Sequence, residues 1–296
     1  MRGAGGQQPG ARLGAVILNW NDADRTLAAV RSLSAWASPP FVCIVDNASA
    51  DGSRLRSAGV QVLYNSRNLG FAGGNNRGIS RALEEGCTEI LLLNSDAEIS
   101  EEGVRSLARA LRDHPSIGII GPAVREGGRV FAGGRDIAWH VDTRVPGKAP
   151  GGGPVTADYV PGMVFLARSA VFASVGLLDE RYFFSGEVAD FCRRARDHGY
   201  ACAVCPGVVA VHRPDQGMPL RSTLYPYYAL RNRFLFLREH HPALRPVLEP
   251  FWVLWGFAMS VRAFLAGSPE QSRAYRIALV HGVKGMYGDR NAEFHA

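Results

Sequence analysis

No apolar run in this 296-residue chain reaches the roughly 20 residues needed to span a bilayer. The longest, Phe251 to Val261, is closed by Pro250 and Arg262, which argues against a transmembrane chain. Cysteine is scarce and odd in number, with single residues at 43, 87, 192, 202 and 205, and no secretory signal opens the chain. A disulfide framework is therefore not expected, and a reduced, cytoplasmic setting is. Cys202 and Cys205 have CxxC spacing but no matching second pair, and their apolar, strand-like surroundings favour packing over metal or redox chemistry. The GxGxxG fingerprint is also missing: "NLGFAGGNNRG" carries glycines at 70, 73, 74 and 78, out of that register, which lowers hydride chemistry in rank.

With 47% apolar residues, the chain can bury a sizeable core. The net charge of +6 favours anionic partners such as nucleotides, phosphates or an acidic membrane surface, without choosing among them. Near the C-terminus Trp252, Trp255, Phe257 and Phe264 lie beside Arg245 and Arg262. That segment fits a helix lying on a membrane surface and equally one packed on the protein's own core. The Gly-rich opening, residues 1–12, reads as a loose tail.

"LGAVILNW" and "FVCIVDNAS" are apolar runs ending in polar residues, and between them Leu27, Val30 and Leu33 recur at helical spacing over 22–36. This is a β-α-β unit. "VQVLYNS", a Gly-rich loop, a helix over 75–85 and the strand "EILLLNSD" continue the alternation, which predicts a Rossmann-like, mainly parallel sheet flanked by helices. From Gly127 to Pro154 the chain turns rich in Gly, Pro and charge, as in a mobile loop or small excursion. A strand and short helix follow in "DYVPGMVFLARSAVFASVG", then one or two strands in "ACAVCPGVVAVH", then helices to the end.

Ligands of open α/β sheets sit at the carboxyl ends of strands, and three strands end in polar clusters: Asn19-Trp20-Asn21, Asp46-Asn47 and Asn94-Ser95-Asp96. Each alone is ordinary loop chemistry, but three at successive strand ends point to one crevice. Further along, "YFFSGEVADFCRR" sets Glu187 and Asp190 three positions apart at the start of a basic helix. They suit either general acid/base work or the complementing of a helix dipole.

The order of these motifs resembles the family 2 glycosyltransferases, nucleotide-sugar-dependent enzymes of the GT-A fold, and especially their rhamnosyltransferase-like branch. The likeness spans residues 13–240 and rests on "VILNWNDADRTLAAVRSL", "IVDNASADGS", "NSRNLGFAGGNNRGI", "LLLNSDAEIS", "LLDERYFFSGEVADFCRRARDHGY" and "VHRPD" followed by "YYALRNR". It implies a GT-A domain over 13–240, with a nucleotide-sugar-binding half (13–125) and an acceptor and catalytic half (155–240), followed by a helical extension over 241–296.

The resemblance also implies roles. Asn19, Asn21 and Asp46 would contact the nucleoside, with Asn68, Gly70, Asn75 and Arg77 completing that wall. Asp96 would bind Mg²⁺ or Mn²⁺ on the diphosphate with His212 beside it, while Asn94 would reach the sugar or ribose. Arg231 and Asn232 would lie near the diphosphate or acceptor. The family's usual catalytic aspartate falls at Val188 here, so Glu187 is the first choice for the base and Asp190 the second. The expected reaction is inverting transfer from a UDP- or dTDP-sugar to a hydroxyl of a glycan, lipid-linked sugar or small metabolite, with rhamnose favoured by overall resemblance alone. Nucleic acid is not among the expected partners. Peripheral contact with the inner face of a membrane would run through the C-terminal helices. The competing readings are a non-catalytic nucleotide-sugar-binding protein and, more weakly, a nucleotidyltransferase.

Overall fold

The computed structural model describes residues 11–147, 153–214 and 219–294, with side chains in the last segment from 223 onward. Most of the expected tail lies outside these residues, as do part of the Gly127–Pro154 stretch and the Asp215 of "VHRPD". The chain opens as β1 (Leu13–Asn19), α1 (Ala23–Ser34), β2 (Phe41–Asp46), β3 (Gln61–Tyr64), α2 (Gly70–Glu84) and β4 (Glu89–Asn94). β1, β2 and β4 are buried nearly throughout, as apolar strands covered on both faces should be. Their parallel register sets Asn19 beside Asp46 and Leu18 beside Asn94, so the three polar strand ends share one edge.

Helix α2 begins five residues earlier than the sequence pattern predicts and absorbs the Gly-rich stretch. The reason is close packing. A Cβ at Gly78 would lie 2.3 Å from Val16 Cγ1, and one at Gly74 2.4 Å from Leu18 Cδ1, so only bare backbone lets the helix lie this near β1.

Then follow β5 (Ala97–Glu98), α3 (Glu101–Asp113), β6 (Ile117–Glu126), β7 (Arg129–Gly134), β8 (Arg144–Pro146), β9 (Val155–Thr156) and β10 (Val164–Arg168). Ser100 starts α3 by accepting the Gly103 amide at 3.1 Å, with Glu101 and Glu102 in the first turn. The sheet runs β3-β2-β1-β4-β10-β6-β11-β5, parallel on the first side and mixed beyond β4, because β10 inserts antiparallel between β4 and β6. Gly127–Pro154 is only partly loop: β7 folds back on β6 and pairs with β8.

The chain closes with α4 (Ser169–Val175), α5 (Glu187–Asp197), β11 (Ala201–His212), α6 (Pro219–His240), α7 (Arg245–Leu265) and α8 (Pro269–Lys284). All five cysteines are free and buried, in line with a packing role. One face of α7 packs on the protein, through Leu248, Trp252, Gly256, Ser260 and Ala263. Trp252 is fully enclosed, its indole N–H donates to the Ala138 carbonyl at 2.9 Å, and the Arg233 guanidinium lies 4.0 Å over its ring. Among the described residues no helix is long and apolar enough to cross a membrane.

Candidate active site

The edge formed by the ends of β1 and β2 is a hydrogen-bonded polar wall. The buried Asn19 amide donates to Asp46 Oδ1 at 2.8 Å and to Ser49 Oγ at 3.0 Å, while its carbonyl oxygen accepts the Thr26 hydroxyl at 2.8 Å. Asn19 therefore orients Asp46 from inside the wall. Asn21, at φ 55°, is exposed and accepts the Ala50 amide at 2.8 Å.

Asn47, beside Asp46 at the end of β2, ties that strand to the next loop. Its amide donates to Asn68 Oδ1 at 2.7 Å and to the Gly70 carbonyl at 3.0 Å, and its oxygen accepts from Asn65 Nδ2 and the Leu69 amide at 2.9 Å each. Asn75 is buried and donates to the Phe71 carbonyl at 2.9 Å. Arg77 is exposed and bonded to Asn65 Oδ1.

Two junctions carry this wall toward α5. The Phe71 amide donates to the Phe183 carbonyl at 2.6 Å, and a Cβ on Gly70 (φ 73°) would lie 2.4 Å from that same oxygen. Gly70 is thus required by both its dihedral and its neighbour. At the other junction the Asn94 backbone N–H donates to the Met163 carbonyl at 2.9 Å, while a Cβ on the preceding Gly162 would meet Val188 Cγ2 at 3.2 Å. The segment Gly162-Met163 therefore links the start of the Asn94-Ser95-Asp96 turn to the first turn of α5. Val188 itself is buried in the apolar core, so a carboxylate at that position would face hydrocarbon.

Asp96 and His212 converge, with Nε2 3.2 Å from Asp96 Oδ2, and β11 pairs with β5 at this point. Glu126, at the end of β6, takes the other ring nitrogen at 2.8 Å. Sequence reasoning missed Glu126 because it stands 86 residues from His212 and nothing in its local pattern marks it. Burial pulls the His212 pKa down, but the hydrogen bonds and charges of Asp96 and Glu126 outweigh it, and the net shift is upward.

Glu187 and Asp190 share a face of α5 but differ in company. Asp190 is buried and doubly engaged, by Arg194 Nε at 2.8 Å and His240 Nε2 at 2.7 Å, which ties α5 to α6. Glu187 is also buried, and its Oε2 has no hydrogen-bond partner. Desolvation raises its pKa to about 7, with a further push from Asp190 and an opposing hydrogen bond from its own backbone. A carboxyl held near neutrality with a vacant acceptor suits general-base work.

The loop presenting Glu187 is bent: Phe183, Ser185 and Gly186 have φ of 62°, 68° and 99°. A bulky residue at positive φ is strained, and such strain persists only when neighbours impose it. Arg231 and Asn232 impose it, with their polar groups turned inward to this loop. Asn232 Nδ2 donates to the Tyr182 and Phe184 carbonyls at 2.9 Å each. Arg231, fully buried, donates to the carbonyls of Tyr182 at 2.9 Å and Gly288 at 2.6 Å, and its guanidinium sits 4.7 Å over the Tyr228 ring. Asn232→Leu keeps the branched shape and removes both the Nδ2 donor and the Oδ1 that accepts from Arg231. It is expected to lower turnover about 10- to 100-fold by misplacing Glu187, with the melting shift caused by nucleotide unchanged; steady-state kinetics and thermal shift together check this.

The glycosyl transferase family 2 model matches residues 15–172. The low-salt glycan biosynthesis hexosyltransferase Agl10 of Haloferax volcanii is 32% identical over 208 residues, and the match spans 65% of this chain and 65% of that relative's own length. The dTDP-rhamnosyl transferase RfbF of Shigella flexneri is 24% identical over 268 residues, covering 84% of this chain and 88% of the relative. Among solved structures, the mannosyltransferase PcManGT of Pyrobaculum calidifontis, in complex with GDP-Man and Mn²⁺, superposes with a TM-score of 0.57 at 15% identity, over 93% of this chain and 88% of that one. That likeness bears on the fold, which is of the GT-A type. With its family match over more than half its length, the chain belongs to glycosyl transferase family 2.

Proposed function

We propose that the protein is an inverting glycosyltransferase that moves a sugar from a UDP- or dTDP-sugar to a hydroxyl of a glycan, lipid-linked sugar or small metabolite. The observation that carries this reading is Glu187: a buried carboxylate with an unbonded oxygen and a pKa raised to about 7, at the start of the helix that Gly162-Met163 link to the Asn94-Ser95-Asp96 turn. Glu187 takes the proton of the acceptor hydroxyl as that oxygen bonds to the anomeric carbon, and the bond from that carbon to the diphosphate oxygen breaks on the opposite face. The products are the new glycoside, the nucleoside diphosphate and protonated Glu187, which returns its proton to water. Asp46, oriented by Asn19, accepts hydrogen bonds from the nucleoside, and Asn94 reaches the sugar or ribose. The dTDP-rhamnosyl activity named for the Shigella relative favours dTDP-rhamnose among donors.

The donor set also fits a divalent cation. Asp96 offers a carboxylate oxygen and His212 a ring nitrogen 3.2 Å apart, and Glu126 on the other nitrogen fixes the ring as an outer-shell carboxylate does. Among the described residues no group of three such side chains could enclose an ion alone. Phosphate oxygens and water would therefore complete the coordination, as is usual for Mg²⁺. Bound there, Mg²⁺ or Mn²⁺ would neutralise charge developing on the departing diphosphate.

A thermal-shift series with UDP, dTDP and GDP sugars, with and without Mn²⁺, tests the reading. A UDP- or dTDP-sugar is expected to raise the melting temperature, Mn²⁺ to add to the rise, and Asp96→Asn to lose only the Mn²⁺ increment. No shift with any nucleotide sugar would overturn the donor site.

A further inference from the structure

The outer face of α7 is apolar from end to end. Val247, Phe251, Leu254, Phe257, Val261, Phe264 and Leu265 are 42% to 79% exposed, and they recur at spacings of three and four, one continuous stripe along the helix. The opposite face is the one packed on the protein, so exposure of this stripe is not a consequence of loose folding. Soluble surfaces seldom leave such a stripe uncovered.

Its charges indicate what covers it. Arg262 borders the stripe, and the neighbouring helix α8 exposes Arg273, Arg276 and Lys284 together with Val280 and Val283. The only exposed acid on the two helices is Glu270, since Glu249 is paired with Arg238 and Arg245. α7 and α8 form a hairpin joined through residues 266–268, with Arg262, Phe264 and Leu265 in the last turn of α7 and Arg273 and Arg276 in the first half of α8.

We propose that this outer face of the α7–α8 hairpin docks on an anionic lipid bilayer, with the stripe in the boundary between headgroups and acyl chains and the four cations against the phosphates. Apolar burial and attraction to anionic headgroups then act together, and a helix lying flat needs no spanning length. A second copy of the chain fits less well, because symmetric pairing of this face would bring like-charged cations together. The docking does not depend on the donor-site reading.

Co-sedimentation of the full chain with vesicles tests it. The protein is expected to sediment with phosphatidylcholine–phosphatidylglycerol vesicles and far less with phosphatidylcholine alone, and high salt should weaken the association. Leu254→Ser with Phe257→Ser is expected to reduce partition at least ~10-fold, and Arg273→Gln with Arg276→Gln to reduce it on anionic vesicles only. Both pairs lie on the surface, so melting temperature and the nucleotide-sugar shift should stay as in the wild type, which separates failure of docking from failure of the donor site. The proposal is overturned by wild-type protein that stays in the supernatant, by serine variants that bind as wild type, or by a wild-type dimer in ultracentrifugation that the serine variants abolish without any vesicle binding.

Discussion

Glu187→Gln is expected to lower transfer by about three orders of magnitude while leaving nucleotide-sugar binding intact, since a positioned general base contributes roughly 10² to 10⁴. Two further readouts belong to the carboxyl itself. With the Glu187 pKa near 7, wild-type turnover should climb about tenfold per pH unit below 7 and level off above it, and the glutamine variant should lack that limb.

Stability should move the other way. A carboxyl whose folded pKa lies above its ordinary value of 4.5 binds its proton more tightly in the native state. Native stability therefore falls as pH rises from about 4.5 to 7, and the full cost is present above 7. Glu187→Gln removes that cost and should be the more stable protein at pH 8, by on the order of 1–3 kcal/mol. A variant that is slow and more stable matches a site strained for function; one that keeps near-wild-type turnover removes Glu187 from the mechanism.

Asp190→Asn is expected to give the opposite pattern. Its carboxylate is enclosed between Arg194 and His240, and removing one partner of a buried pair typically costs about 3–5 kcal/mol. Asparagine keeps part of the hydrogen bonding, so a loss of about 2–3 kcal/mol is expected, visible as a lower urea midpoint with unchanged slope. Turnover per folded molecule should fall less than tenfold, because Asp190 holds α5 against α6. A variant with wild-type stability and thousandfold slower transfer would exchange the roles of the two carboxylates.

Side by side in the sequence, these residues look alike. Glu187 and Asp190 both stand in the first turn of an amphipathic helix, and no local pattern says which one has cationic partners. Arg194 lies one turn on, but His240 arrives on α6, 50 residues away. The Gly-rich stretch at 70–74 reads as loop when judged by propensity, and it folds as the first turn of α2, whose Gly74 and Gly78 lie too near β1 for side chains. Arg231 and Asn232 are expected near the diphosphate or acceptor; in the structure both are buried and their polar groups reach a loop some 50 residues upstream.

By itself the sequence determined what depends on short-range periodicity and motif order: the alternating strands and helices, the polar strand ends, the family, and the carboxylates at the start of α5. Register along parallel strands then brings Asn19, Asp46 and Asn94 to one edge with little freedom, since alternate residues pack into two different cores and a slip of one residue would exchange them. Only the tertiary structure decided the pairing of His212 with Glu126, the separation of Glu187 from Asp190, and which face of α7 is left open to solvent. Those outcomes depend on desolvation and on partners far apart in the chain, and both exist only once the core has closed.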